Sequence, residues 1–171
     1  GNYDDQWWQA ISSEIAGVAR SFRTDETAVT IETLPLFDGY YVPPSTPQEL
    51  KPFVSETDLA VTLDVTHCPQ IRVDPIEAAK ILSERIRSCQ LSDVLDGKTH
   101  LIPGDGCINF VDLFRTVDLS ALRSATIEYM VAPPEKLVSR RIQREMTDTL
   151  KAAKARVHEW IEAAQPLRRP G

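Results

Sequence analysis

Four short β-prone runs close on an oxygen-bearing side chain: residues 29–32 (Val-Thr-Ile-Glu), 61–64 (Val-Thr-Leu-Asp), 87–90 (Arg-Ser-Cys-Gln) and 125–128 (Ala-Thr-Ile-Glu). A hydroxyl residue stands two positions before each, giving the pairs Thr30/Glu32, Thr62/Asp64, Ser88/Gln90 and Thr126/Glu128. Side chains alternate faces along a strand, so each pair shares one face. Val29/Ile31, Val61/Leu63, Cys89/Leu91 and Ile127/Tyr129 take the other. If the strands lie side by side in parallel, three carboxylates and an amide meet at one level. Such a set of hard oxygens is a cage for a divalent cation. Without the cation the carboxylates would repel one another, and some would stay protonated.

The elements that must position these groups follow from periodicity and punctuation. Residues 4–22 read as an amphipathic helix, with Trp8, Ile11, Ile15, Val18 and Phe22 at 3/4 spacing. The first strand spans 27–32, and a long loop over 33–45 carries Phe37, Tyr40 and Tyr41, as a lid or binding loop would. Thr46, Pro47 and Glu49 form a capping box for a short helix, which Pro52 should strain and end near Ser55. The second strand is 59–64, and 65–73 is a loop carrying His67. Asp74-Pro75 opens a helix to about Arg85, with Ile76, Ala79, Ile81 and Leu82 as its buried stripe. The third strand spans 86–93, then come a loop over 94–108, a short helix over 110–116 and the fourth strand. A long helix over 135–164 follows, and 166–171 is a frayed tail. This α(βα)4 order implies a parallel sheet with right-handed crossovers. Its polar inward face suits the upper layers of a barrel, where reactive groups sit at the C-terminal strand ends.

At 171 residues, 42% apolar and 26% charged, the chain is expected to form a single globular domain over 1–171. No apolar run reaches the ~20 residues of a membrane span. Nor does a basic start precede an apolar stretch, so no signal peptide is expected. The net charge of −6 speaks against nonspecific nucleic-acid binding. The segment after Val131 is nevertheless basic, which reads as a solvated helix face. Cys68, Cys89 and Cys107 have no CxxC spacing and read as free thiols in a reducing, cytoplasmic setting. No GxGxxG and no P-loop follows the first strand.

Read in order, the strand-end segments resemble the xylose isomerase-like TIM-barrel superfamily of sugar isomerases, epimerases and endonuclease IV. Ile31-Glu32-Thr33-Leu34-Pro35 is similar to the "E-N-x-P" end of strand five, and Leu63-Asp64-Val65-Thr66-His67 to the "D-x-x-H" of strand six. Cys89-Gln90-Leu91-Ser92-Asp93 resembles "H-L-S-D" of strand seven, and 100–110 resembles "H-x-P-x-G-E-G-x-I-x-F". Ile127-Glu128 matches the glutamate of strand eight. The resemblance implies a (βα)8 barrel of which this chain covers helix four and strands five to eight with their helices. A whole barrel takes ~250 residues. The chain is thus expected to be a fragment, as its Gly1 start also suggests, or to pair with a second copy.

The resemblance further implies one divalent metal held by Glu32, Asp64, Gln90 and Glu128. Gln90 stands where the family carries His, which favours Mn²⁺ or Mg²⁺ over Zn²⁺. Glu32 and Glu128 would shuttle a proton at carbon through an enediolate, making the chain a sugar or keto-acid isomerase or epimerase. His67, His100 and Asp105 would contact substrate, though Asp105 is one methylene shorter than the family's Glu. Alternatives on the same scaffold are an endonuclease IV-like phosphodiesterase, a sugar dehydratase and a non-catalytic sugar- or partner-binding relative. Asp93 is expected to brace the loop after the third strand.

Overall fold

The structure is a computed structural model. It describes residues 5–24, 26–36, 38–40, 43–129 and 139–165, with 5–8 as backbone alone. Helix α1 (Asp5–Phe22) leads into β1 (Thr30–Glu32), α2 (Pro47–Thr57) and β2 (Ala60–Asp64). A single turn α3 (His67–Gln70) and α4 (Pro75–Leu82) return the chain to β3 (Ile86–Leu91). The hairpin β4 (Asp93–Leu95) and β5 (Lys98–Leu101) precedes α5 (Phe110–Thr116), β6 (Ser124–Ile127) and α6 (Arg140–Ala164). Strands β1, β2, β3 and β6 form one sheet in that order, every pair parallel.

Local chemistry sets the helix starts. Thr46 and Glu49 make the reciprocal capping box, and Asp74 Oδ1 accepts from the amides of Ile76 (2.7 Å) and Glu77 (3.2 Å). Helix α2 runs through Pro52 to Thr57, two residues past the expected end. Pro52 is exposed, where water can serve the Gln48 carbonyl that lacks its helical donor. Helix α4 instead stops at Leu82, short of Arg85.

Val61, Leu63, Cys89 and Leu91 are wholly buried on the helix side of the sheet, packed with Leu50, Val54, Ala79, Leu82, Leu113 and Phe114. The opposite face carries the hydroxyl row. Thr62 Oγ1 donates to Thr30 Oγ1, and Ser124 Oγ to Ser88 Oγ, each at 2.8 Å. On α1 the buried residues are Ala16 and Ala19, and Ile15 of the expected stripe packs against the core, whereas its Ile11, Val18 and Phe22 are exposed. Trp8 lies outside the described side chains. At the far edge Trp160 of α6 stacks on Phe110 with ring centroids 4.7 Å apart.

The register differs from the uniform level expected of the four oxygens. Asp64 pairs with Gln90, but Glu32 pairs with Thr62 and Gln90 with Thr126. The strand ends are therefore staggered, as tilted strands of a closing barrel require. A bulge also separates the pairs Val61↔Ile86 and Thr62↔Ser88, leaving Arg87 as the extra residue. Ile86 thus stays on the core side while Ser88 and Gln90 face inward. Strand one is shorter than expected, and the loop expected over 94–108 contains the β4–β5 hairpin. The start of the last helix expected at 135 lies outside the described residues.

Candidate functional site

Asp64 ends β2 and is wholly buried. Its Oδ1 accepts from the Thr66 amide (2.8 Å), the Thr66 hydroxyl (3.0 Å) and the His67 amide (3.3 Å). Those bonds close the turn that starts α3 and fix the carboxylate plane. They leave Oδ2 buried and without a hydrogen-bond donor. A buried carboxylate oxygen in that condition calls for a cation.

His67, expected on a loop, opens α3. Its Nδ1 lies 2.7 Å from the Thr33 carbonyl oxygen and 3.3 Å from Glu32 Oε1. A carbonyl can only accept, so Nδ1 carries the proton. Nε2 then faces Asp64 Oδ2 at 3.3 Å. With Nδ1 as the donor, Nε2 and Oδ2 present lone pairs to each other, an arrangement that a bound cation would satisfy. His100, at the end of the hairpin, joins them: ligand atoms of Asp64, His67 and His100 all lie within 4.8 Å of one another. The His67 and His100 rings meet edge to face at 5.7 Å, and His100 holds a left-handed backbone (φ 55°). Such strain in a non-glycine residue is often kept at functional positions.

Gln90, level with Asp64, has a buried Oε1 with no donor, while its side chain hydrogen-bonds the Glu32 carboxylate. Burial pushes the Glu32 carboxyl above its ordinary range. His67 opposes that shift, and the charges of Asp64 and Glu128 add to it. All four oxygen-bearing residues singled out in the sequence therefore act on Glu32 or are Glu32 itself. Glu128 lies just beyond β6, placed by its amide donating to the Leu91 carbonyl at 3.0 Å. These contacts join Glu32, Asp64, His67, Gln90 and His100, while Glu128 acts on Glu32 through its charge; among the described residues the cluster of mutually close ligand atoms is Asp64, His67 and His100, without Glu32 or Glu128.

Asp105 stands apart. Its Oδ1 takes the Arg156 guanidinium of α6 at 2.9 Å, and about half of its side chain is exposed. Asp93 is wholly buried and accepts from the amides of Val94, Gly104, Gly106 and Ile108 at 2.9–3.0 Å. This is the expected loop brace. Gly106 is needed there, because a Cβ at 106 would fall 2.3 Å from Asp93 Oδ1. Phe37 and Tyr41 lie outside the described residues, and Tyr40 is 75% exposed. Cys68 and Cys89 are buried thiols pushed up to about 12 by desolvation, so neither is a nucleophile near neutral pH.

Three supporting residues escaped the sequence reading. Thr33 Oγ1 accepts from the Asp64 amide (2.9 Å) and donates to the Asp64 carbonyl (3.2 Å), tying β1 to β2. Thr66 and Ser92 hydroxyls meet at 3.0 Å and tie β2 to the end of β3. The available signal was their place inside the strand-end motifs, next to Glu32, His67 and Asp93.

Solved structures share this architecture. The D-psicose 3-epimerase of Clostridium cellulolyticum H10, solved with D-tagatose, superposes with a TM-score of 0.72 at 16% identity, covering 94% of this chain and 59% of its own. An L-ribulose 3-epimerase gives 0.67 at 16% identity, covering 99% and 61%. A xylose isomerase domain protein from Alicyclobacillus acidocaldarius subsp. acidocaldarius gives 0.66 at 20%, covering 96% and 62%. The chain thus spans about three-fifths of the length of these structures. No curated protein sequence matches it. Among the described residues, no helix is long and apolar enough to cross a membrane. The sequence model of the xylose isomerase-like TIM barrel matches residues 1–144, and with the parallel half-barrel and its strand-end oxygens in place, the chain belongs to that family.

Proposed function

We propose that this chain supplies strands five to eight of a divalent-metal-dependent sugar or keto-acid isomerase or epimerase. The carrying observation is the pair of buried oxygens without donors, Asp64 Oδ2 and Gln90 Oε1, beside the half-buried Glu32. Glu32, Asp64, Gln90 and Glu128 would hold the metal, and a set of hard oxygens favours Mn²⁺ or Mg²⁺. When bound, the cation would polarise a substrate carbonyl and its neighbouring hydroxyl.

The residues then divide the work. Glu32, its carboxyl raised by burial, is poised to take a proton from carbon. Glu128 would return that proton from the end of β6, at the opposite edge of the sheet. His67, pinned through Nδ1 to the Thr33 carbonyl, offers Nε2 to a substrate oxygen. His100 adds a second imidazole, and Asp105 braces its loop against α6. Among the described residues the outer edges of β1 and β6 are unpaired, and they need a closing half, either more of a longer chain or a second copy.

A second reading, an endonuclease IV-like phosphodiesterase, draws on the Asp64–His67–His100 cluster, since paired imidazoles suit Zn²⁺. The net charge of −6 opposes it.

The test is solvent deuterium exchange into ketoses and hydroxy-keto acids with Mn²⁺, followed by proton NMR on the closed barrel. Metal-dependent exchange beside the carbonyl, reduced about 10²–10⁴-fold by Glu128→Gln, supports the isomerase reading. Chelator-sensitive nicking of abasic DNA without exchange would replace it with the second.

A further inference from the structure

Arginines gather at the opposite end of the sheet. Arg20, Arg23, Arg85, Arg87 and Arg123 line one cleft of ≈ 340 Å³ at the starts of β1, β2, β3 and β6. Among the described residues Asp58 is the one carboxylate in that lining, within a chain of net charge −6. Arg23 and Arg85 share Asp58. Among the described residues Arg20, Arg87 and Arg123 have no carboxylate partner. Arg87 Nη1 donates to the carbonyls of Glu84 (3.1 Å) and Ile86 (2.9 Å), and Arg123 Nη1 to that of Glu26 (3.0 Å). Among the described residues the rest of each guanidinium fork has no other hydrogen-bond partner. Asp118 feels the charge of Arg87, but its Oδ1 is taken by the amide and hydroxyl of Ser120.

Ordinary causes account for part of this cluster. Arg20 and Arg23 sit at the C-terminal end of α1, where a cation is favoured. Arg85 has its ion pair. Neither cause covers Arg87 and Arg123, which come from different strands and meet at the cleft. Arg87 is the bulged residue, so the register fault directs an arginine here and keeps Ile86 in the core.

We propose that this cleft is an anion site, built for the phosphate group of a small phosphorylated molecule. Guanidinium forks match phosphate oxygens two at a time. Three guanidiniums without a carboxylate call for more than one negative charge, which a phosphate dianion brings and a monocarboxylate does not. The volume suits a small ligand. Among the described residues the lining contains no His, Cys, Lys or Glu, so the site holds its ligand rather than transforming it. Arg87 stands three residues before Gln90 on β3, about 10 Å along the strand, so the cleft is separate from the candidate catalytic site.

The experiment is titration of the full chain with inorganic phosphate, a ketose phosphate and the unphosphorylated ketose, at ionic strength fixed with sodium chloride. Calorimetry and melting temperature are the readouts. Saturable uptake of one phosphate group per chain is expected. Arg87→Gln with Arg123→Gln should weaken it at least tenfold. Arg20→Gln, which removes no hydrogen bond or ion pair among the described residues, should weaken it severalfold and serves where the double variant does not fold. Arg140→Gln with Arg144→Gln on α6 should leave it unchanged. Stronger uptake of the ketose phosphate marks a phosphorylated metabolite as the ligand; equal uptake marks free phosphate. A response reproduced by chloride, or unaltered in the cleft variants, overturns the proposal. Binding to polyglutamate with no response to phosphate overturns it in favour of a protein-docking surface.

Discussion

Asp64 and Asp93 are both wholly buried, yet their oxygens are served differently. Four backbone amides converge on Asp93 and use both of its oxygens. Around Asp64 all donors fall on Oδ1, and Oδ2 faces His67 Nε2 at 3.3 Å with none. A saturated buried carboxylate is a structural fastener, because every lone pair it loses to burial is replaced. One that is half saturated is costly to the isolated chain and useful only if something else completes it. Charge alone does not separate the two roles; the unserved oxygen does.

Removing the fastener should have the largest effect. Asp93→Ala leaves four amides without their acceptor and should cost about 3–4 kcal/mol, read by urea unfolding. A loss below about 1 kcal/mol would break the comparison. Asp64→Asn keeps an oxygen for the Thr66 and His67 amides, so stability should change by less than about 1 kcal/mol. Uptake of Mn²⁺, followed by native mass spectrometry, should fall by about 100-fold or more in the same variant. Unaltered uptake would detach Asp64 from any metal role.

Glu32→Gln sharpens the contrast through pH. The folded-state carboxyl lies above its unfolded value, so its contribution to stability is present at acid pH and lost as pH rises through the folded value. Metal-free Glu32→Gln should therefore melt higher than the parent at pH 7, and the gain should vanish near pH 4. With 37% of the Glu32 side chain exposed, the gain will be modest. The smallest effect should come from Arg156→Gln, which removes the half-exposed pair with Asp105 and costs at most about 1 kcal/mol in chemical denaturation. A larger loss would make Asp105, rather than Asp93, the main anchor of that loop.

The strand ends were legible in the sequence because two signals agreed. Period-two alternation marked the faces, and hydroxyl-to-carboxylate spacing marked the inward one, now visible in the Thr30–Thr62 and Ser88–Ser124 contacts. Stagger was not legible, since register depends on how neighbouring strands slide and no single strand encodes it. The β4–β5 hairpin was readable but passed over: Asp96-Gly97, both left-handed here, is a strong two-residue turn signal. His100 reaches Asp64 through that hairpin, so its place beside His67 could not be seen without it. The bulge at Arg87 left no local mark either, because the alternation merely skips a beat.

That skipped beat makes the third strand a phase shifter. Below it, apolar residues are in step with the core; above it, polar residues are in step with the interior. Position 87 can change its chemistry and keep both halves in phase, but it cannot be deleted. Loss of one residue there would turn Ile86 inward or swing Ser88 and Gln90 outward together. Length at that point should therefore matter more than identity, because an insertion or deletion there would disturb both ends of the sheet at once.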